Sequence, residues 1–215
     1  MTALYEKYRP GTLDGVVGQD AAVRKIRFLQ SRDSLRCLWL SGPSATGKTT
    51  LARIVASLVS DPLATEEIDA IDLSLDMVRE FDERSRKRPL FGNQWCFLIN
   101  EAHNMNTKTV SKLQTVLEEP STARNACWVF TCTDKGQKRL FDDKFDAHPL
   151  LSRAVQIEME FTGDTIIAYA KRLMEIAKLE GIENGQQLDA YVDLFTQNNC
   201  NFRQCLQQID SGVFV

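Results

Sequence analysis

The chain is poor in histidine, in cysteine pairs at metal-binding spacing, in net charge and in long apolar runs, and each shortage closes a class of function. There are two histidines in 215 residues, and the six cysteines form no C-x-x-C pair, Cys127/Cys132 and Cys200/Cys205 being the nearest. No Cys/His metal framework can be assembled from them, and reduced, mostly buried thiols are expected. No apolar run approaches the roughly 18 residues that a membrane span requires. The opening "MTALYEKYRP" lacks the apolar core and small-residue cleavage site of a secretory leader, so a cytoplasmic location is expected, or a nuclear one in a eukaryote. With 26 Lys+Arg against 29 Asp+Glu the net charge is -3, which favours no polyanionic partner as a whole. Any nucleic-acid surface must be local.

What is present is an ordinary globular balance, 43% hydrophobic and 26% charged, arranged in a regular alternation. Strand-like Cys37 to Leu40 precedes helix-like Thr49 to Val59, and strand-like Ile68 to Leu73 precedes a helix near Asp76 to Arg86. The order continues with a strand at Trp95 to Ile99, a helix near Thr107 to Leu117, and strands at Cys127 to Thr131 and Ala154 to Glu158. This is the pattern of an α/β fold, a parallel five-stranded sheet covered by helices on both faces. After Phe161 the period changes. "TGDTIIAYAKRLMEIAKLEG" opens on capping-type Thr162 and Asp164, keeps apolar residues at helical spacing and stops at Gly181. Helices near Gln186 to Thr196 and Phe202 to Ile209 follow. Residues 1–160 are thus expected to form an αβα domain and residues 161–215 a small all-α domain.

The strongest motif is "GPSATGKTT", which begins one residue after "CLWL" and runs into "TLARIVASLV". It satisfies G-x-x-x-x-G-K-[ST] in the strand-loop-helix setting that its mechanism needs. The loop runs through Gly42, Pro43, Ser44, Ala45, Thr46 and Gly47, and its two glycines let it curl so that successive backbone N-H groups face inward. Lys48 reaches the β and γ phosphates, Thr49 offers a hydroxyl to Mg²⁺, and the N-terminus of the helix through Thr50 adds about half a positive charge. ATP with Mg²⁺ is the expected ligand.

Several further stretches together resemble the AAA+ ATPases of the clamp-loader family, the small subunits of replication factor C and their bacterial and phage counterparts. "LYEKYRPGTLDGVVGQDAAVRKI" is similar to that family's adenine-side segment, which implies that Tyr8, Arg9, Pro10, Val16 and Val17 flank the base. "FLINEAHNMNTKTVSKLQTVLEEPS" resembles the metal-side strand and its helix, and "FTCTD" the end of the sensor-one strand. "LLSRAVQIEM" resembles the Ser-Arg-Cys element with Ala154 in place of Cys, and "NNCNFRQCLQQI" the lid helix carrying the second sensor.

From this resemblance the roles follow as expectations. Glu101 is the base that orients the attacking water, Thr133 a hydrogen-bonding sensor of that water or the γ phosphate, and Arg203 a lid residue reaching the γ phosphate. Arg153 is an arginine finger delivered to a neighbouring subunit. The family implies partners: other subunits of an oligomeric clamp loader, a sliding clamp, and primer-template DNA. DNA contact falls on Arg79, with Arg84, Arg86, Lys87 and Arg88 just beyond it, through phosphates and hence with strong salt dependence.

Three departures separate this chain from the family pattern. Only "VSDPLATEE" joins the first helix to the second strand, so there is no four-cysteine zinc module. The chain ends at Val215 without the helical collar of these subunits, as a fragment or as an abbreviated protein that assembles otherwise. Finally, Asn100 stands where a metal-holding carboxylate is usual, keeping one acceptor oxygen while losing a charge beside the cation. Two readings stay open: an ATPase motor that loads a clamp, favoured by Lys48, Thr49, Glu101, Thr133 and Arg203, and a nucleotide-binding, weakly hydrolysing structural subunit, favoured by Asn100 and the missing collar. A third keeps the fold but serves another DNA repair or recombination assembly.

Overall fold

The structure, a computed structural model, describes residues 2–133, 148–183, 185–212 and 214. The helices are α1 (Leu4–Lys7), α2 (Asp20–Ser31), α3 (Lys48–Val59), α4 (Leu75–Ser85), α5 (Thr107–Glu118), α6 (Pro120–Asn125), α7 (His148–Ser152), α8 (Gly163–Leu179), α9 (Leu188–Gln197) and α10 (Phe202–Asp210). The strands are β1 (Cys37–Gly42), β2 (Thr65–Asp69), β3 (Trp95–Asn100), β4 (Ala126–Thr133) and β5 (Val155–Glu158). They form one five-stranded sheet in the order β2-β3-β4-β1-β5 with every neighbouring pair parallel.

The interior strands are apolar at successive positions because helices cover both faces of the sheet. On one face Ile26 of α2 and Leu51, Ala52 and Val55 of α3 pack on Leu38, Leu40, Leu98 and Val129. On the other, Val78 and Phe81 of α4 and Val110 and Leu113 of α5 pack on Trp39, Phe97, Trp128 and Phe130, with the Phe81 and Phe97 rings 4.4 Å apart. A third cluster lies outside the sheet. It joins α8, α9 and α10 through Leu173, Ile176, Tyr191, Phe195 and Leu206, and it also takes in Leu4, with Tyr5 and Tyr8 packed against it. The N-terminal helix therefore docks on the helical part of the molecule.

After β1 the chain passes to the far edge at β2, whereas β5 flanks β1 on its other side. This reversal opens a crevice at the carboxyl end of β1, the usual ligand position in an open α/β sheet.

The second strand differs from the sequence reading, which places it at Ile68 to Leu73. It lies at Thr65–Asp69 because an edge strand needs no continuous apolar run, and its residues are half-buried or exposed. The apolar Ala70 and Leu73 are buried in the turn that follows it. Helices α1, α2, α6 and α7 add to the elements expected from periodicity. Helix α8 begins where the capping residues place it, with Thr162 Oγ1 accepting from the Thr165 amide at 3.3 Å. The cysteines form no disulfide; five are buried and Cys200 is half-buried. Among the described residues no helix is long and apolar enough to cross a membrane.

Candidate functional site

The loop after β1 is built by backbone geometry that few residues tolerate. Gly42 has φ +147°, and a Cβ there would lie 2.1 Å from the Met159 carbonyl oxygen, so the strand can end beside β5 only as glycine. Gly47 caps α3 at φ +91°. Lys48 is buried, and its Nζ donates to the carbonyls of Gly42 at 2.9 Å and Pro43 at 2.6 Å, which centres the ammonium on the loop. The first turn of α3 carries no acidic residue, so the positive end of its dipole is available to an anion.

A cavity of about 480 Å³ opens over this loop. The segment from Ser44 to Thr50 lines its base, and Tyr8, Arg9, Pro10, Val16 and Val17 line another part of it. Glu101 reaches it from the sheet, while Arg172 of α8 and Arg203 of α10 reach it from the helical cluster. The Arg203 guanidinium sits 5.1 Å from the centre of the Tyr5 ring. Residues separated by most of the chain thus converge on one space, because the reversal at β1 places the loop beside the helices that follow β5.

Asn100 ends β3 with three hydrogen bonds at its side chain. Its Oδ1 accepts from the Thr49 hydroxyl at 3.4 Å and the Thr131 hydroxyl at 3.2 Å, and its Nδ2 donates to Glu67 Oε1 at 2.8 Å. Glu67 in turn takes a fork from Arg53, Nε to Oε2 at 2.8 Å and Nη2 to Oε1 at 2.9 Å. Burial pushes the Glu67 carboxyl up, but the hydrogen bonds from Arg53 and Asn100 outweigh it and hold the group below the ordinary carboxylate range. Thr49 and Asn100 therefore present two neutral oxygens on one side of the loop. Among the described residues no group of three or more His, Cys, Asp or Glu could hold a metal alone. That donor set fits Mg²⁺, which keeps several waters and is commonly completed by substrate phosphates.

Glu101 follows immediately in a left-handed conformation, φ 50° and ψ 48°, its amide donating to Thr131 Oγ1 at 3.2 Å. Such a backbone costs a non-glycine residue about 1–3 kcal/mol and recurs at functional sites. Ala45 in the loop shares it, at φ 67°. The turn carries the Glu101 carboxylate to the cavity, with His103 Nδ1 3.5 Å from Oε2.

Other sequence-predicted residues lie elsewhere. Thr133 ends β4 level with Gly42 in the adjacent strand and is not among the residues lining the cavity. Arg153 follows α7 outside the cavity, paired with Glu118 and donating to the Pro149 carbonyl. Arg79 is exposed and paired with Asp76 at 2.8 Å. Arg84 is committed to the sheet edge, bonded to Glu66 at 2.9 Å and lying 4.4 Å over the Trp95 ring. Arg86 pairs with Asp82 at 3.4 Å.

Residues 38–159 match the family described as ATPase family associated with various cellular activities (AAA), more than half of the chain. The chain belongs to this family. Among curated relatives, the replication factor C small subunit of Haloarcula marismortui is 30% identical over 193 residues, covering 87% of this chain and 56% of that protein. The DNA polymerase III subunit gamma/tau of Mycobacterium bovis is 29% identical over 158 residues, covering 61% of this chain and 27% of its own length. The chain thus spans about half the length of the replication factor C relatives it matches. In structure, the RuvB Holliday junction branch migration motor of Thermotoga maritima superposes with a TM-score of 0.69 at 20% identity, over 94% of this chain and 64% of that one. The last likeness shows the AAA fold.

Some residues of this AAA site carry no signal in the sequence. Tyr169 of α8 donates its hydroxyl to the Thr46 carbonyl at 3.2 Å, tying the helical part to the loop, and burial pushes its pKa up to about 12 against the opposing hydrogen bond with Gln19. In sequence it is one more apolar position on a helix. Arg172 looks like a solvated helical charge, although its guanidinium lies 5.7 Å over the Tyr8 ring. Arg53 and Glu67 carry no motif, since only the strand ladder brings Glu67 beside Asn100.

Proposed function

We propose that the chain is the ATPase part of a clamp-loader subunit, in which ATP bound with Mg²⁺ between the sheet and the helical part drives loading of a sliding clamp onto primer-template DNA. The observation that carries this reading is the cavity shared by the phosphate loop, Glu101 and Arg203. Replication factor C and gamma/tau relatives support the replicative setting.

In this reading the loop amides, Lys48 and the α3 N-terminus hold the phosphates, and Tyr8 to Pro10 with Val16 and Val17 enclose the base. Thr49 and Asn100 hold the cation, whose charge offsets that of the phosphates when bound. The Glu101 carboxylate accepts a proton from the attacking water and aims it, with Thr133 at the adjacent strand end as a further hydrogen-bonding group. Arg203 contacts the γ phosphate from the helical part, so the nucleotide state sets the angle between two bodies, residues 1–160 and 161–215 apart from the docked N-terminal helix. Arg153, outside its own cavity, serves a neighbouring subunit's nucleotide after leaving Glu118. Arg79 offers a phosphate contact.

A second reading, a structural subunit that binds nucleotide and hydrolyses it weakly, is favoured by one observation: the amide of Asn100 is built into a hydrogen-bonded network with Glu67. Steady-state ATP turnover with and without clamp and primed DNA separates the two. Turnover stimulated by both supports the motor, and tight ATP binding with negligible turnover throughout refutes it in favour of the structural role.

A further inference from the structure

Glu67 lies on an edge strand, in no motif, yet it makes the shortest hydrogen bond to Asn100. An amide presents a donor at one end and an acceptor at the other, so what binds the donor decides where the acceptor points. At Asn100 the acceptor end meets two hydroxyls, Thr49 and Thr131. Both are able to donate or accept, and alone they would tolerate either amide orientation. The carboxylate of Glu67 is acceptor-only and tolerates just one, with Nδ2 toward itself and Oδ1 toward Thr49. Arg53 then holds that carboxylate in place with a two-bond fork.

We propose that Glu67 is the positioning residue of the cation side of this nucleotide site. Through the Asn100 amide it aims a carbonyl oxygen at the position beside Thr49, and it supplies, one residue removed, the negative charge that Asn100 lacks. The proposal rests on the reading of the cavity as an ATP site, and it extends that reading to a residue that touches neither nucleotide nor cation. It also accounts for the amide itself. A carboxylate at position 100 would face Glu67 across 2.8 Å with no proton between them, whereas an amide completes the chain from Arg53 to Thr49. The negative charge has been moved from the strand end to its neighbour on the sheet edge.

The test is binding of a fluorescent ATP analogue, the mant derivative, titrated in EDTA and then with increasing Mg²⁺. Glu67→Ala is expected to leave affinity in EDTA within about twofold of wild type while raising the Mg²⁺ concentration for half-maximal effect about tenfold, the lower end for losing an outer-shell partner of a metal ligand. Glu67→Gln keeps one acceptor oxygen but neither the charge nor the acceptor-only face, and is expected to recover less than half of that shift. In an Asn100→Ala background, Glu67→Ala is expected to add less than about a twofold shift, because its route through the amide is already gone. An unchanged Mg²⁺ dependence in Glu67→Ala, an equal loss in EDTA, or a full additional shift in the Asn100→Ala background would each overturn the proposal. Failure of the wild type to bind the analogue under either condition would instead refute the nucleotide-site reading on which it rests.

Discussion

Replacing Asn100 by Asp restores the carboxylate usual in the clamp-loader pattern, and in this chain it should do harm before it does good. The substitution changes almost no volume, but the atom that donates to Glu67 at 2.8 Å becomes an oxygen. Two carboxylates about 4 Å apart repel by roughly 4 kcal/mol at an effective dielectric of 20. The Arg53 fork and the partial exposure of Glu67 offset about half of this, and the lost amide-to-carboxylate hydrogen bond adds about 1.5 kcal/mol. The net cost is about 3.5 kcal/mol, which lowers the melting temperature of a chain of this size by about 7–14 °C. In Asn100→Asp/Glu67→Gln the pair is reversed, with the new amide at position 67 donating to the new carboxylate at position 100 while its oxygen still accepts from Arg53. That variant should melt within about 3 °C of wild type, and it alone should show a gain in Mg²⁺-dependent turnover, of about tenfold. Thermal melts without nucleotide, followed by turnover on the same samples, measure both. An Asn100→Asp protein that melts with the wild type and hydrolyses as fast as the double variant would refute the reasoning.

Tyr169→Phe removes the hydroxyl bonded to the Thr46 carbonyl inside the buried junction, so ATP affinity should fall about three- to tenfold for about 1 kcal/mol of loop positioning, with little change in melting temperature; equilibrium titration measures it. Arg153→Ala should leave ATP affinity of the isolated chain within about twofold while removing oligomer-stimulated turnover by about 10³-fold or more, and a large binding loss in the isolated chain would sink the role in trans. Glu180 is held below the ordinary carboxylate value of 4.5 by its hydrogen bonds from Lys7 and then Tyr8, with burial opposing, and Lys7 is raised above 10.5 chiefly by Glu180. The contact's contribution is therefore present between those values, lost as pH falls through the lowered Glu180 pKa or rises through the raised Lys7 pKa. The melting-temperature gap between wild type and Glu180→Gln should be open at neutral pH and close in acid well below 4.5.

The sheet and the phosphate loop are legible because their signals are local. A buried parallel strand is a short apolar run, and the loop writes its mechanism in nine consecutive letters, "GPSATGKTT". The edge strand escapes for the converse reason: Thr65 to Asp69 carries two glutamates and an aspartate, and its strand character comes from pairing with β3. The same pairing hides the partner of Asn100. Position 100 announces an anomaly, a missing charge, but its compensation stands 33 residues upstream, where no spacing rule points. Arg84 is a second case of a setting the sequence hides. Within "DERSRKR" it reads as one cation of a basic cluster beside a DNA surface, yet the aromatic ring of Trp95 and the carboxylate of Glu66 take it into the sheet edge.

The N-terminal helix alters how the proposed two bodies share the nucleotide. Leu4, Tyr5 and Tyr8 belong to the helical cluster, Lys7 pairs with Glu180 at 2.7 Å, and Arg172 and Arg203 lie over the Tyr8 and Tyr5 rings. Of the residues proposed to flank the base, Tyr8 therefore belongs with the helical body, whereas Val16 packs against the cluster on the sheet. Under the proposed function a bound ATP would then touch the helical body at Tyr8 and Arg203, and the sheet body at the phosphate loop and Val16. Hydrolysis would then release the Arg203 attachment and leave the base contacts in place. In that reading the base would lie between Tyr8 of the helical body and Val16 on the sheet body, so it would bridge the two.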